Sequence, residues 1–268
     1  MTDFETIRID TDDRGIAHLW LARPDKHNAL NTQMIKELQS AAAYLSGDSA
    51  IRAVVLAGEG KSFCAGADLG WMQTQIGKDR DGKMAESREL ALMLGQLDSL
   101  PKPLIGRVHG NSFGGGIGLM AVCDIVVASS QAAFALTETR LGLVPATIGP
   151  YVVRRLGEGN ARRYFMNGKR FGADVARQIG LVSEIADPSS LDQAIETELG
   201  WFLDCAPGAV ADAKKLCLAL SRDVLDDPLA YTAARLADRW ETAEAQEGIR
   251  SFFAREKPAW ARKDHDGQ

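Results

Sequence analysis

The sequence has 268 residues, 46% of them hydrophobic and 25% charged, enough to bury the core of one large domain or one and a half. Its formal charge of -5 excludes a general electrostatic attraction to nucleic acid or to anionic membranes, so any phosphate it binds must meet a local cluster of donors. Cys64, Cys123, Cys205 and Cys217 form no CxxC pair, which argues against zinc or a disulfide framework and for small buried thiols in a reducing compartment. The opening MTDFETIRID lacks the features of a secretory or transit peptide. No apolar stretch reaches the roughly 18 residues of a membrane span, so a cytoplasmic protein without membrane association is expected.

Residues 5–10 and 16–22 read as strands, and Asp12, Asp13, Arg14 and Gly15 between them supply turn chemistry, so the chain opens with an antiparallel pair. Over residues 31–45 the apolar positions Met34, Leu38, Ala41, Ala42 and Leu45 follow helical spacing, and 51–56 is a run suited to a buried strand. The segment SFCAGADLGWM (62–72) follows the glycine turn of Gly58 and Gly60 and leads into a helix that Asp68 is placed to cap. The polar stretch QIGKDRDGKM (75–84) reads as a mobile segment close to the chemistry. A helix over 85–99 ends at Pro101 and Pro103, and 104–108 is a strand. Next, HGNSFGGGIGLMAVCD (109–124) turns on three glycines into an apolar helix, and 125–128 is a strand again.

After Pro150 the strand signals nearly vanish, and helices are expected around 149–156, 160–167, 173–179, 190–204, 207–221, 228–245 and 246–255. The last of them carry Leu229, Tyr231, Leu236, Trp240, Ile249, Phe252 and Phe253, a layer apolar enough to cover a neighbouring subunit. The alternation before Pro150 argues an α/β domain. No Pro-, Ser- or Gly-rich linker follows it, so the helical part reads as a subdomain.

The two glycine corners carry the chemistry. At a strand-to-helix corner, backbone amides are free to point at an anion, and glycine lets a ligand approach the main chain. For either cluster alone a tight turn is the plainer reading, but one amide from each would make a two-donor oxyanion hole. His18, His27, His109 and His265 have no metal-ligand spacing, and Ser62 and Ser112 lack the His and Asp partners of a nucleophile.

Together with RPDKHNALN (23–31), SFCAGADL, the Lys102 and Pro103 pair ahead of His109 and Gly110, SFGGGIGLMAVCDIVVAS, AAFALTETRLGLVPA and EGIRSFFAREKPAW, these corners give a chain that resembles the enoyl-CoA hydratase/isomerase (crotonase) family over nearly its whole length. The resemblance implies an α/β fold with a ββα spiral core over residues 1–200 and an α-helical trimerisation subdomain over 201–268. It also implies a homotrimer or a hexamer of two trimers, acting on coenzyme A thioesters with no further cofactor and no metal. The family's oxyanion donors fall on the amides of Ala67 and Gly115. Its two catalytic glutamates fall on Glu138 and on Gly118, so one carboxylate is absent. The resemblance puts Lys26, Ala65, Asp68, Leu69 and Lys257 against coenzyme A, the two lysines at phosphates, and Trp71, Met72 and Arg140 at the acyl pocket.

Syn hydration is usually divided between two carboxylates, so a lone Glu138 leaves three readings open. A hydratase must work with one carboxylate, whereas a Δ3,Δ2-enoyl-CoA isomerase needs only one. A silent acyl-CoA- or RNA-binding member needs none, and the acidic charge speaks against RNA. The combination of AGADLGWM, GGGIGLMAVCD and LGLVPATIGPYVV resembles the bacterial 3-methylglutaconyl-CoA hydratases and their relatives acting on isohexenylglutaconyl-CoA, a group in which the resemblance implies the same missing glutamate. The expected reaction is therefore hydration of 3-methylglutaconyl-CoA to 3-hydroxy-3-methylglutaryl-CoA, or its reverse, in leucine or isoprenoid breakdown. The distal carboxylate of such a substrate calls for a cation, with Arg140, Arg88, Lys83 and Arg80 as candidates.

Overall fold

The computed structural model describes residues 4–222 and 225–261; His265 lies outside them. Strands β1 (Ile7–Thr11) and β2 (Ile16–Leu21) form the expected antiparallel pair. Helix α1 (Thr32–Gly47) follows, capped by Asn31, whose side chain accepts from the Met34 amide. The chain then runs through β3 (Ala53–Gly58), β4 (Ser62–Cys64), α2 (Leu69–Ile76), α3 (Arg80–Asp98), β5 (Leu104–Val108), β6 (Asn111–Phe113), α4 (Gly115–Ala121), β7 (Ile125–Ser129) and β8 (Ala133–Ala135). Beyond these lie α5 (Gly149–Leu156), α6 (Glu158–Phe165), β9 (Phe171–Gly172), α7 (Ala173–Gln178), β10 (Glu184–Ala186), α8 (Leu191–Leu203), α9 (Pro207–Ser221), α10 (Pro228–Trp240) and α11 (Ala243–Ala254).

The strands fall into two sheets, one in the order β1-β2-β3-β5-β7-β10 and one in the order β4-β6-β8-β9. Each turn of chain gives one strand to each sheet: β3 then β4, β5 then β6, β7 then β8. Within each sheet these successive strands pair in parallel. This is the spiral of β-β-α turns that the resemblance implies. Strands buried on both faces lose the period-2 signal, and β3 is buried at every position. Alternate residues of the larger sheet face opposite cores. Val54, Leu56, Val108, Val126 and Ala128 pack with α1, α3 and α4, while Ile16, Val55, Ile105 and Val127 meet Leu191, Ile195 and Leu199 of α8.

Three expectations need correction. Residues 75–84 are largely helical, because α2 runs to Ile76 and α3 starts at Arg80, where the Asp79 side chain accepts from the Gly82 amide. The polar first turn of α3 carries no apolar periodicity, which hid it. Two strands do follow Pro150, where the sequence signal nearly vanishes: β9 and β10 complete the two sheets, but at two and three residues they are too short for a pattern. The helix expected over 228–245 ends at Trp240, and Thr242 caps α11 through the Ala245 amide.

Ion pairs fasten the last helices to the core. Lys214 on α9 meets Asp124 at 2.8 Å, and Arg222 at its end meets the buried Asp98 at 2.8 Å. Arg154 closes on the other oxygen of Asp98. The apolar side chains of α10 and α11 stay exposed in the single chain, Leu229 at 83%, Phe252 at 78% and Phe253 at 79%. Among the described residues no helix is long and apolar enough to cross a membrane.

Candidate active site

The first corner forms where the chain leaves β4. The amide of Leu30 donates to the Gly66 carbonyl at 2.7 Å and the Asp68 amide to the Leu30 carbonyl at 2.9 Å, so Ala67 makes an isolated parallel bridge to Leu30. Because its two neighbours turn their polar groups toward Leu30, Ala67 turns its own N–H the other way, and its exposed residue faces open space. Gly66 stands at φ +92°, in the left-handed region where a side chain would be strained.

The second corner is the start of α4. Gly115 is its first residue, so its amide is one of the donors that a helix leaves unpaired. The Gly114 amide is tied to the Ala135 carbonyl at 3.0 Å, which docks the corner on β8. A Cβ built on Gly66 would lie 3.5 Å from the Gly115 amide nitrogen, so the two corners abut. Among the described residues neither the Ala67 nor the Gly115 amide donates a hydrogen bond.

Glu138 opens the 3-10 turn of residues 138–141, whose chain is turned by Gly142. Its Oε1 lies 3.1 Å from where a Cβ on Gly114 would sit, so the carboxyl group stands beside the second corner. Its Oε2 is buried and accepts no hydrogen bond from the described residues. Burial pushes the Glu138 carboxyl above its ordinary range, only partly offset by its own backbone amide. A buried carboxylate without a protein partner is costly for the fold and is common where a group awaits substrate or water.

Gly118 lies one turn along α4 from Gly114. A Cβ there would stand 2.4 Å from Cγ2 of Ile148, so the space where the resemblance implies a second carboxylate is filled by an isoleucine. Sequence reasoning missed Ile148, which lies in LVPATIGP without any periodic signal. It also missed Leu30, whose Cδ1 is 2.8 Å from a notional Cβ on Gly115.

Asp68 caps α2 as the sequence predicts: Oδ1 accepts from the Trp71 amide at 3.1 Å, and Oδ2 meets Arg23 at 3.0 Å. Burial raises the Asp68 carboxyl, but the Trp71 amide and the Arg23 guanidinium outweigh it and hold it below the ordinary range. Arg23 also donates to the Ala29 carbonyl at 2.6 Å. Arg23 was not foreseen, and it ties the loop bearing Lys26 to the first corner. Trp71, half-buried beside Met72, donates from Nε1 to Glu86 at 3.0 Å, and Glu86 also takes Lys78 at 2.7 Å and Thr32 at 3.2 Å.

Of the four cations proposed for a distal carboxylate, three are brought together. Arg80, Lys83 and Arg88 line one open groove of about 490 Å³. Arg140 is not among them, because its side chain lies along Gly168, with Nε 3.0 Å from a notional Cβ there. Ala65 is half-buried within the first corner, where its amide donates to the His27 carbonyl at 2.9 Å. Leu69, Lys26 and Lys257 are exposed.

The comparisons agree with this architecture. The family model described as enoyl-CoA hydratase/isomerase matches residues 11–263. An enoyl-CoA hydratase crystal structure from Shewanella pealeana superposes with a TM-score of 0.92 at 36% identity, covering 96% of each chain. The structure of Pseudomonas aeruginosa AtuE gives 0.92 at 35% identity over 96% of this chain and 100% of that one. The enoyl-CoA hydratase AKT6-1 of Alternaria alternata is 34% identical over 78% of this chain and 67% of its own length.

Proposed function

The chain belongs to the enoyl-CoA hydratase/isomerase family, enzymes of the lyase and isomerase type that act on acyl-CoA thioesters, and from that membership we propose a one-carboxylate hydratase. Water adds to the β carbon of an α,β-unsaturated acyl-CoA. Glu138, ionised, accepts a proton from the attacking water and gives a proton to the α carbon, while the thioester oxygen carries the enolate charge between the amides of Ala67 and Gly115. The net change is one water added across the double bond on one face.

The observation that carries this reading is Oε2 of Glu138, buried and unpartnered beside two abutting corners whose Ala67 and Gly115 amides donate to no described residue. Lys26 and Lys257, both exposed, are proposed to meet coenzyme A phosphates. Asp68 and Arg23 are proposed to hold the first corner in shape, with Ala65 and Leu69 against the coenzyme and Trp71, Met72 and Arg140 near the acyl group. The specific substrate we propose is 3-methylglutaconyl-CoA, supported by the resemblance of the corner sequences to hydratases of that substrate and by Gly118. The exposed apolar faces of α10 and α11 support assembly as a trimer or a pair of trimers.

A Δ3,Δ2-enoyl-CoA isomerase is the second reading, favoured by the single glutamate, which alone suffices to move a proton between the α and γ carbons. Incubation with 3-methylglutaconyl-CoA, crotonyl-CoA and a 3-enoyl-CoA, with products weighed by mass, separates the two. Gain of one water on a 2-enoyl thioester supports the hydratase, and a shifted double bond without gain of mass sinks it.

A further inference from the structure

We infer that Leu30 is a positioning residue for the proposed reaction: it sets the span between the two amides that receive the thioester oxygen. Its backbone holds one corner and its side chain the other. On the backbone, the Leu30 amide donates to the Gly66 carbonyl at 2.7 Å and the Leu30 carbonyl accepts from the Asp68 amide at 2.9 Å, the bridge that turns the Ala67 N–H toward open space. On the side chain, Cδ1 stands 2.8 Å from where a Cβ on Gly115 would begin, so a leucine methyl fills the space beside the second donor. The same notional Cβ lies 3.8 Å from Cα of Gly66, so Leu30, Gly66 and Gly115 meet at one spot. The inference rests on reading the amides of Ala67 and Gly115 as the donors to the thioester oxygen.

Leu30 can act as a spacer because its own main chain is pinned on both sides. Before it, Asn28 is fully buried at φ +54°, a left-handed conformation that asparagine tolerates better than most residues. The Asn28 side-chain amide donates to the carbonyls of Glu59 at 2.8 Å and Ser62 at 2.9 Å, and its Oδ1 accepts from the Arg23 amide at 2.9 Å. The Arg23 guanidinium holds the Ala29 carbonyl. After it, Asn31 caps α1. Leu30 itself is 3% exposed, in the core with Met34, Ile35 and Leu38. A shorter side chain at position 30 is therefore not made good by a backbone shift, and the start of α4 settles into the gap with the Gly115 amide. A donor misplaced by about 1 Å can cost about 10²-fold in rate.

The test reads the donors directly and needs no turnover. Butyryl-CoA, saturated and labelled with carbon-13 at the thioester carbonyl, is bound to the wild type and to Leu30→Val, Leu30→Ala and Leu38→Ala, and its carbonyl stretch is recorded by isotope-edited infrared difference spectroscopy. Leu38, fully buried further along α1, controls for lost core packing. The wild-type band should lie below that of free butyryl-CoA in water, and both Leu30 variants should move it back toward the free position while Leu38→Ala leaves it in place. With crotonyl-CoA, the Leu30 variants should lose about 10- to 100-fold in kcat with KM within about threefold of the wild type. A band unmoved in the Leu30 variants overturns the inference, and so does a band moved equally by Leu38→Ala, since general loosening would then explain it. Leu30→Val, the smaller change, decides alone if Leu30→Ala does not fold. A wild-type band at the free position removes the two-amide reading and the positioning with it. A shifted band that depends on Leu30, in a protein that hydrates nothing, contradicts the reaction and keeps the positioning.

Discussion

Cγ2 of Ile148 occupies the space that any side chain at position 118 would need, 2.4 Å from where the Cβ of that side chain would begin. The absence of a second carboxylate is therefore built into the packing of α4 against residues 146–149, and restoring it takes more than one substitution. Gly118→Glu alone should destabilise the protein by about 2–4 kcal/mol, from overpacking and an unpaired buried charge. Adding Ile148→Ala should recover part of that loss, because the cavity it leaves receives the new side chain. Denaturant unfolding of the two variants measures this, and a single variant as stable as the wild type would contradict the packing.

Burial raises the Glu138 carboxyl above its ordinary 4.5, with consequences for both activity and stability. As a base Glu138 must be ionised, so kcat/KM for hydration should fall with decreasing pH through a group titrating above an ordinary glutamate. For stability the sign is set by the raised value: the fold favours the protonated form, and that contribution is complete below the unfolded value and lost as pH rises through the folded one. At neutral pH the ionised carboxylate is thus a burden on the fold. Glu138→Gln should raise Tm by about 1–3 °C while removing hydration. A variant with lowered Tm would contradict the burial argument.

Asp98 gathers α3, α5 and the end of α9 through Arg154 and Arg222, and its own side chain is only 4% exposed. Removing one member of a buried charge cluster leaves the others unpaired. Asp98→Ala should cost about 2–4 kcal/mol, discounted because both arginines reach solvent. Arg222→Ala should cost about 1 kcal/mol or less, since that arginine is 44% exposed. Chemical denaturation curves distinguish the two, and equal losses would contradict the account.

Much of the candidate site's backbone was legible in the sequence, because glycine turns and helix caps leave marks at single positions. A helix cap needs an oxygen at one position, and Asp68 supplied it. The resemblance marked Glu138. The three-residue strands β4, β6 and β8 were not legible as strands, since a run of three has no period, and only the parallel ladder between turns of the spiral defines them. Nor did the sequence separate Arg140 from Arg80, Lys83 and Arg88. That distinction depends on the polar first turn of α3, which begins five residues before its apolar pattern, and on the turn at Gly168 that receives Arg140. Ile148 and Gly118 are 30 residues apart in the chain, and the contact between them is a property of packing.

The central claim is that Glu138 alone moves the protons of hydration. The most direct measurement is the rate at which purified wild-type protein and Glu138→Gln add one water to 3-methylglutaconyl-CoA and crotonyl-CoA, with product resolved by mass. The account predicts hydration of at least one of the two by the wild type and a loss of about 10²–10⁴-fold in kcat in the variant, with little change in substrate affinity. A variant that hydrates within a few-fold of the wild type would contradict it, and would mean that another group carries the proton.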